Sequence, residues 1–248
     1  MLKILEEIYA LNSIEDSNGE RRPLHSHTFK DQGLFIQEMF DLAKVKQSLE
    51  VGLAYGISTL WILEKHRQKQ SAPKSHIVIE PFPWGNTALH NIKKEGLENF
   101  IEIKNELSDK VLTQLYLDKK NIQFAYVDTT KVFDVVLQDF YFIDKILDVN
   151  GIVIIDDCDT PGINKVVRFI NTLPHYVIVG RHAKVKRGWK YSLLEKLLSF
   201  ALNLIPFKSQ VFPNLSFKTS SELNINYRCI AFKKIAVDER RWDWDKPL

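Results

Sequence analysis

Residues 49–58, Leu49-Glu50-Val51-Gly52-Leu53-Ala54-Tyr55-Gly56-Ile57-Ser58, read as a buried strand that runs into a glycine-punctuated turn and then into a helix. Glycine has no Cβ, so Gly52 and Gly56 let the backbone take positive φ and come close to a ligand. The helix that follows, Thr59 to about Arg67, points its free N–H groups at the same place. The pattern is acid-x-Gly-x-x-x-Gly. It differs from the Gly-x-Gly-x-x-Gly of dinucleotide sites, because no third glycine follows Gly56 at the required spacing.

Thirty residues beyond Glu50, His76-Ile77-Val78-Ile79-Glu80 reads as a short apolar strand ending in a carboxylate, which can accept both hydroxyls of a ribose. Strand, glycine loop, helix, strand and acid make the first half of a doubly wound sheet, whose ligands bind at the carboxyl ends of the strands. Ile101–Lys104 alternates as a third strand and Phe124–Asp128 is a fourth. Gly151–Ile155 is a continuous apolar run, as in a central strand buried on both faces, and it ends in Asp156-Asp157. Helical patterns separate these runs. Tyr176–Gly180 is a sixth strand and Asn226–Lys234 a seventh. The expected fold is α/β, a doubly wound Rossmann-like sheet of seven strands in the order 3-2-1-4-5-7-6, the last strand antiparallel, with helices on both faces.

The expected organisation is a lid segment over 1–28, one domain over 29–243 with an insertion at 183–222, and a tail at 244–248. Residues 1–12 suggest a short amphipathic helix. The polar stretch from Asn12 to His27, with Ser17-Asn18-Gly19 as a turn, reads as a mobile segment. Leu34, Phe35, Met39, Phe40 and Leu42 mark the apolar side of a helix beside the first strand.

With 248 residues, of which 45% are hydrophobic, the chain is long enough to bury a full core. A net charge of +3 is too small to imply a nucleic-acid partner. Cys158 and Cys229 lack metal-type spacing and are too few for a disulfide framework, which favours a reducing cytoplasm. Acids in Met1–Glu7 argue against a signal peptide.

Asp128, Asp156 and Asp157 stand at strand ends that should converge on one rim. Close carboxylates repel unless a cation or a proton intervenes, and hard oxygen donors suit Mg2+, Mn2+ or Ca2+. Alternatively, Asp157 caps the next loop and Asp128 faces water. Lys131, three residues after Asp128, would act as a general base if its pKa were lowered, or is a solvated surface lysine. His25 and His27 could close over a substrate as bases, or are loop histidines; His66 and His90 read as surface or packing residues, and Phe133, Phe140, Tyr141 and Phe142 as core or wall. Within the insertion, Lys184, Lys186, Arg187 and Lys190 precede a mostly apolar run, Leu193–Ile205, too short to span a bilayer. Such a segment can cover a site, pack on a second subunit in a homo-oligomer, or lie on a membrane as a peripheral contact through 184–207.

Taken together, Glu50–Ser58, the Glu80 strand end, Val127-Asp128, Phe133–Asp139, Asn150–Asp157 with Pro161-Gly162, and the closing Arg228–Ile235 and Asp238–Trp242 resemble a class I S-adenosylmethionine-dependent methyltransferase. The similarity covers about residues 29–182 and 226–243 and points to the small-molecule O-methyltransferase branch, of catechol or bacterial sugar type. It implies that Glu50, Gly52 and Gly56 hold the cofactor's methionine part, that Glu80 holds its ribose, and that Asn105-Glu106-Leu107 edges its adenine. Ser58 and Asp128 complete the expected contacts. It further implies Asp128, Asp156 and Asp157 as a divalent-metal triad and Lys131, with Asp128, as the catalytic pair, although sugar-type relatives carry an Asp-Gly-x-His pattern where this chain reads Asp128-Thr129-Thr130-Lys131. The expected acceptor is a hydroxylated small molecule or glycan. The alternative is a fold relative without catalysis that serves as an interaction or membrane-surface module.

Overall fold

The computed structural model describes residues 1–25, 27–82, 85–185, 197, 200, 201, 204 and 218–246. In chain order the elements are α1 (Lys3–Leu11), β1 (Ser13–Glu15), β2 (Arg21–Pro23), α2 (Lys30–Leu42), β3 (Ser48–Val51), α3 (Ile57–Gln68), β4 (His76–Ile79), α4 (Gly85–Lys94), β5 (Ile101–Lys104) and α5 (Ser108–Leu117). They continue with β6 (Ile122–Val127), α6 (Phe133–Ile146), β7 (Leu147–Ile155), α7 (Pro161–Thr172), β8 (Tyr176–Lys184) and β9 (Tyr227–Lys234).

The central sheet has seven strands in the order β5-β4-β3-β6-β7-β9-β8, which is the expected 3-2-1-4-5-7-6 when only its own strands are counted. β9 runs antiparallel to both neighbours and the other pairings are parallel. Side chains alternate between the two faces. Leu49, Val51, Ala125, Val127, Val153 and Ile155 share one core with residues of α5, α6 and α7. Phe124, Tyr126, Ile152 and Ile154 share another with Phe35, Ile36, Met39 and Phe40 of α2. α3 lies beneath α1, with Trp61 at 1% exposure, so its apolar residues wrap the whole helix rather than one stripe.

Register positions the site. Val51 pairs with both Ile79 and Val127, Val127 pairs with Ile155, and Ile79 pairs with Lys104. The next residue of each strand therefore falls in one row: Asn105, Glu80, Gly52, Asp128 and Asp156. Backbone bonds extend the ladder by that one step, from Gly52 N to Ile79 O (2.9 Å), Asp128 N to Val51 O (3.0 Å) and Asp156 N to Val127 O (3.0 Å).

Several local expectations are corrected. The polar stretch 12–27 is not a free segment but carries the β1–β2 hairpin, with Ile14 fully buried and Asp16 Oδ1 accepting from Asn18 N (2.9 Å) and Glu20 N (3.1 Å). Leu34 and Leu42 are exposed, and Ile36 takes the buried side of α2 in their place. Tyr141 is exposed, while Phe140 is core. β7 begins at Leu147 and β8 runs on to Lys184, each four residues beyond the expected limits. Of the insertion, Leu197, Phe200 and Leu204 are described and exposed. Lys186, Arg187, Lys190 and most of the run 193–205 lie outside the described residues. No described helix is long and apolar enough to cross a membrane.

Candidate active site

The loop between β3 and α3 is set by three left-handed residues, Gly52 (φ 97°), Ala54 (φ 44°) and Gly56 (φ 75°). Gly52 presses on the neighbouring strand end: a Cβ there would lie 2.0 Å from the carbonyl oxygen of Asp128. Gly56 caps α3 against Ala88, whose Cβ would stand 2.8 Å from one added at Gly56. The glycines thus bring protein backbone together first, and the shaped loop is the result.

Glu50 is fully buried, and its carboxylate accepts from Ser58 Oγ (2.5 Å) and Thr59 Oγ1 (2.7 Å) and meets His76 Nε2 (3.1 Å). It ties β3, β4 and the first turn of α3 together. Ser48 Oγ sits between His66 Nε2 (2.7 Å) and His76 Nδ1 (2.8 Å); burial, with His76 and Lys69 nearby, pulls the His66 pKa down to about 3, so that ring stays neutral. Glu80 stands at the rim with 8% exposure. Its Oε2 accepts from Leu53 N (3.0 Å) and Ala54 N (3.4 Å), and its Oε1 from Phe82 N (3.0 Å). A carboxylate offers about four acceptor positions, so one is left for a ligand hydroxyl.

Beside the loop lies a small, open cleft lined by His27, Thr28, Gly52, Tyr55, Ser58 and Asp128. The 27–28 segment is fixed from below, because Trp61 Nε1 donates to Tyr9 Oη (2.9 Å) and Tyr9 Oη donates to Thr28 O (2.9 Å). Burial, aided by the nearby Arg228 charge, lowers the His27 pKa from its ordinary 6.5 and favours the neutral ring. His25 is exposed and does not line the cleft. Asn105, Glu106 and Leu107 are exposed at the end of β5, also outside this lining, with Glu106 bonded to Lys110 (3.2 Å).

The four acidic-cluster residues come together, but not around a vacant ligand set. Lys131 Nζ lies 2.9 Å from Asp128 Oδ1 and 2.5 Å from Asp157 Oδ2. Asp156 is 4% exposed and turns inward. Its oxygens accept from Gln32 Nε2 (2.6 Å), Tyr126 Oη (2.7 Å), Cys229 Sγ (2.9 Å) and Asp157 N (2.7 Å). Arg228 Nε stands 3.5 Å from Asp157 Oδ1. Burial and the Asp156 charge push the Asp128 pKa up to about 6 against the pull of Lys131. Burial works to lower the Lys131 pKa, but Asp128 and Asp157 outweigh it and raise it, which favours the ammonium form. A divalent cation does not fit the donor set as placed: its position is held by an ammonium, and the third carboxylate is consumed by four internal donors. The ligand-type atoms that do converge within 4.8 Å, from Asp144, His175 and Asp238, belong to the β8–β9 edge, where Lys234 and Arg240 already pair the carboxylates.

Gln32, Tyr126, Cys229 and Arg228 were not anticipated as members of the site. Gln32 left one trace in the sequence, as a polar residue one helical turn before the buried Phe35 and Ile36.

A family model described as a methyltransferase domain matches residues 49–158, from the start of β3 past the Asp156-Asp157 pair. This stretch is similar to a methyltransferase domain. Solved structures extend the likeness over most of the chain. The O-methyltransferase from Bacillus cereus in complex with SAH has a TM-score of 0.57 at 20% identity, over 73% of this chain and 84% of that one. The O-methyltransferase TomG from Streptomyces achromogenes, involved in tomaymycin synthesis and solved with SAM, has a TM-score of 0.59 at 12% identity, over 94% and 89%. A TDP-rhamnose 3'-O-methyltransferase of calicheamicin biosynthesis has a TM-score of 0.51 at 15% identity, over 62% and 76%. At these identities the likeness establishes the class I methyltransferase fold. No curated protein sequence matches the chain. Within the matched stretch, the glycine loop, Glu80 and Asp128 occupy the strand-end rim, and His27 reaches it from outside that stretch.

Proposed function

We propose that the protein is an S-adenosylmethionine-dependent O-methyltransferase that acts on a hydroxylated small molecule or sugar. The observation that carries this reading is the single cleft that joins the left-handed 52–56 loop, the α3 N-terminus, Asp128 and His27. The residues fit the cofactor: Gly52 packs on the Asp128 carbonyl and so fixes the loop beside the cleft, and Glu80 holds an acceptor position in reserve. Gly52, Ser58 and Glu80 would hold it, with Asn105–Leu107 at its edge. Bound there, S-adenosylmethionine would supply a methyl group on a sulfonium sulfur, for transfer to an acceptor oxygen with S-adenosylhomocysteine as the leaving group. His27, neutral and half-buried, takes the proton from that oxygen. Enclosure of the acceptor between the 27–28 segment and the rim aligns the reacting atoms, a contribution of roughly 7–11 kcal/mol when the geometry is near attack.

The test is a thermal shift with S-adenosylhomocysteine and, in parallel, NAD+. A ligand that binds only the folded state stabilises it in proportion to the logarithm of its concentration over Kd. The expected result is a rise in Tm with the first and none with the second. A rise with NAD+ alone would overturn the reading.

A second role, in the insertion, is favoured by the exposure of Leu197, Phe200 and Leu204 (57%, 64% and 66%), spaced one helical face apart. We assign this stripe to a peripheral surface contact, with a bilayer or a second subunit, compatible with a cytoplasmic enzyme whose two cysteines are free and buried. Liposome sedimentation of the full chain and of a chain lacking 186–217 separates the two contacts; equal pelleting of both would remove the bilayer.

A further inference from the structure

We infer that Lys131 is an internal cation that occupies the place of a divalent metal at the acidic rim, so that this enzyme transfers methyl groups without a metal and Lys131 acts as a positioning residue for Asp128. Three observations meet here. First, one nitrogen bridges both outward carboxylates, at 2.9 Å from Asp128 Oδ1 and 2.5 Å from Asp157 Oδ2, so the two oxygens are gathered about a point of positive charge. Second, the inward member cannot turn out to complete a coordination set. Asp156 is bonded by Gln32, Tyr126, Cys229 and the Asp157 backbone, and releasing it would take the acceptor from the buried Tyr126 hydroxyl and Cys229 thiol. Third, the loop that carries Lys131 is clamped by α7. A Cβ on Gly162 would lie 2.4 Å from the Lys131 carbonyl oxygen, so the main chain at Lys131 is held against the helix.

The charges agree with the geometry. Asp128, Asp156 and Asp157 face two fixed cations, Lys131 and Arg228, which leaves one uncompensated negative charge at the rim. A divalent ion arriving at Asp128 and Asp157 would meet the Lys131 ammonium a few ångströms away and would have to expel it. Loss of the ammonium should have the opposite effect, since the same oxygens would then lack their central charge.

The prediction is therefore a gain of function. Mn2+ is titrated into the purified, chelator-treated full chain and the free ion is read by electron paramagnetic resonance, for the wild type, Lys131→Ala, Lys131→Met and Lys131→Arg. Lys131→Met keeps most of the side-chain volume, so a misfolded alanine variant leaves the test intact. The wild type and Lys131→Arg should leave Mn2+ free. Lys131→Ala and Lys131→Met should take up one ion per chain, roughly ten-fold or more tighter, because a like charge within a few ångströms has gone. Wild-type binding as tight as that of the neutral variants would overturn the inference, as would absence of binding in all four. Metal-independent catalysis rests on the methyl-transfer reading, but the Mn2+ signal needs neither cofactor nor acceptor, so failure here is distinguishable from failure to bind S-adenosylhomocysteine.

Discussion

Gly52 lies directly against the carbonyl of Asp128, so closely that a Cβ on Gly52 would stand 2.0 Å from that oxygen. The glycine loop of β3 and the acidic end of β6 are thus one packed unit. Gly52→Ala must displace one or the other, and it also places a side chain at φ 97°. Overpacking costs about 1–3 kcal/mol and a left-handed non-glycine residue about 1–2 kcal/mol. A loss of roughly 2–4 kcal/mol in urea unfolding is expected; an unchanged midpoint would mean that the loop is not built this way.

Glu50 contributes to stability through its two buried oxygens. Glu50→Gln keeps the shape but presents an amide N–H2 to Ser58, Thr59 or His76, of which at least the two hydroxyls already donate. The expected loss is about 2–3 kcal/mol of stability, the scale of leaving a buried polar group unmatched. Denaturant unfolding measures it, and a loss below about 0.5 kcal/mol would remove Glu50 from its role as the tie between β3, β4 and α3.

Much of this was legible in the sequence. The β7 run Gly151–Ile155 is apolar on both faces, as suits a central strand, and the strand-end acids follow from the row that parallel register imposes. The inward turn of Asp156 was not legible, because it depends on Gln32, Tyr126 and Cys229, of which Gln32 lies 124 residues from Asp156 along the chain and 197 from Cys229. The direction of the Lys131 pKa was not legible for the same reason, since it depends on how closely Asp128 and Asp157 approach it in the fold. The β1–β2 hairpin escaped because three-residue strands carry too little periodicity.

Asp139 on α6 is 1% exposed, and burial, opposed by Ser108 and reinforced by Asp109, pushes its pKa up to about 6. In the unfolded chain this carboxyl ionises near 3.8, so between about pH 4 and 6 the native state holds the extra proton and stability falls as pH rises. Asp139→Asn removes that fall. The variant should be more stable than wild type above pH 6 by about 1–3 kcal/mol and nearly equal to it near pH 4. Unfolding curves at both pH values test this, and a variant less stable at pH 7 would contradict it.

His27 as the base predicts a rate that declines as pH drops through a value below 6.5, since burial lowers its pKa and the protonated ring cannot accept. His27→Ala should lower kcat by roughly 10²–10⁴ with little change in cofactor affinity, and the acidic limb of the pH–rate profile should vanish. An unaltered acidic limb in the variant would assign the base elsewhere.

The row formed by Gly52, Glu80 and Asp128 is the centre of the account, and isothermal calorimetry with S-adenosylmethionine tests it most directly. The wild type should bind one cofactor per chain in the micromolar range, and Glu80→Ala should weaken binding by ten-fold or more, roughly the value of a hydrogen bond to a charged group. No heat at millimolar cofactor, or equal affinity in the two proteins, would contradict it.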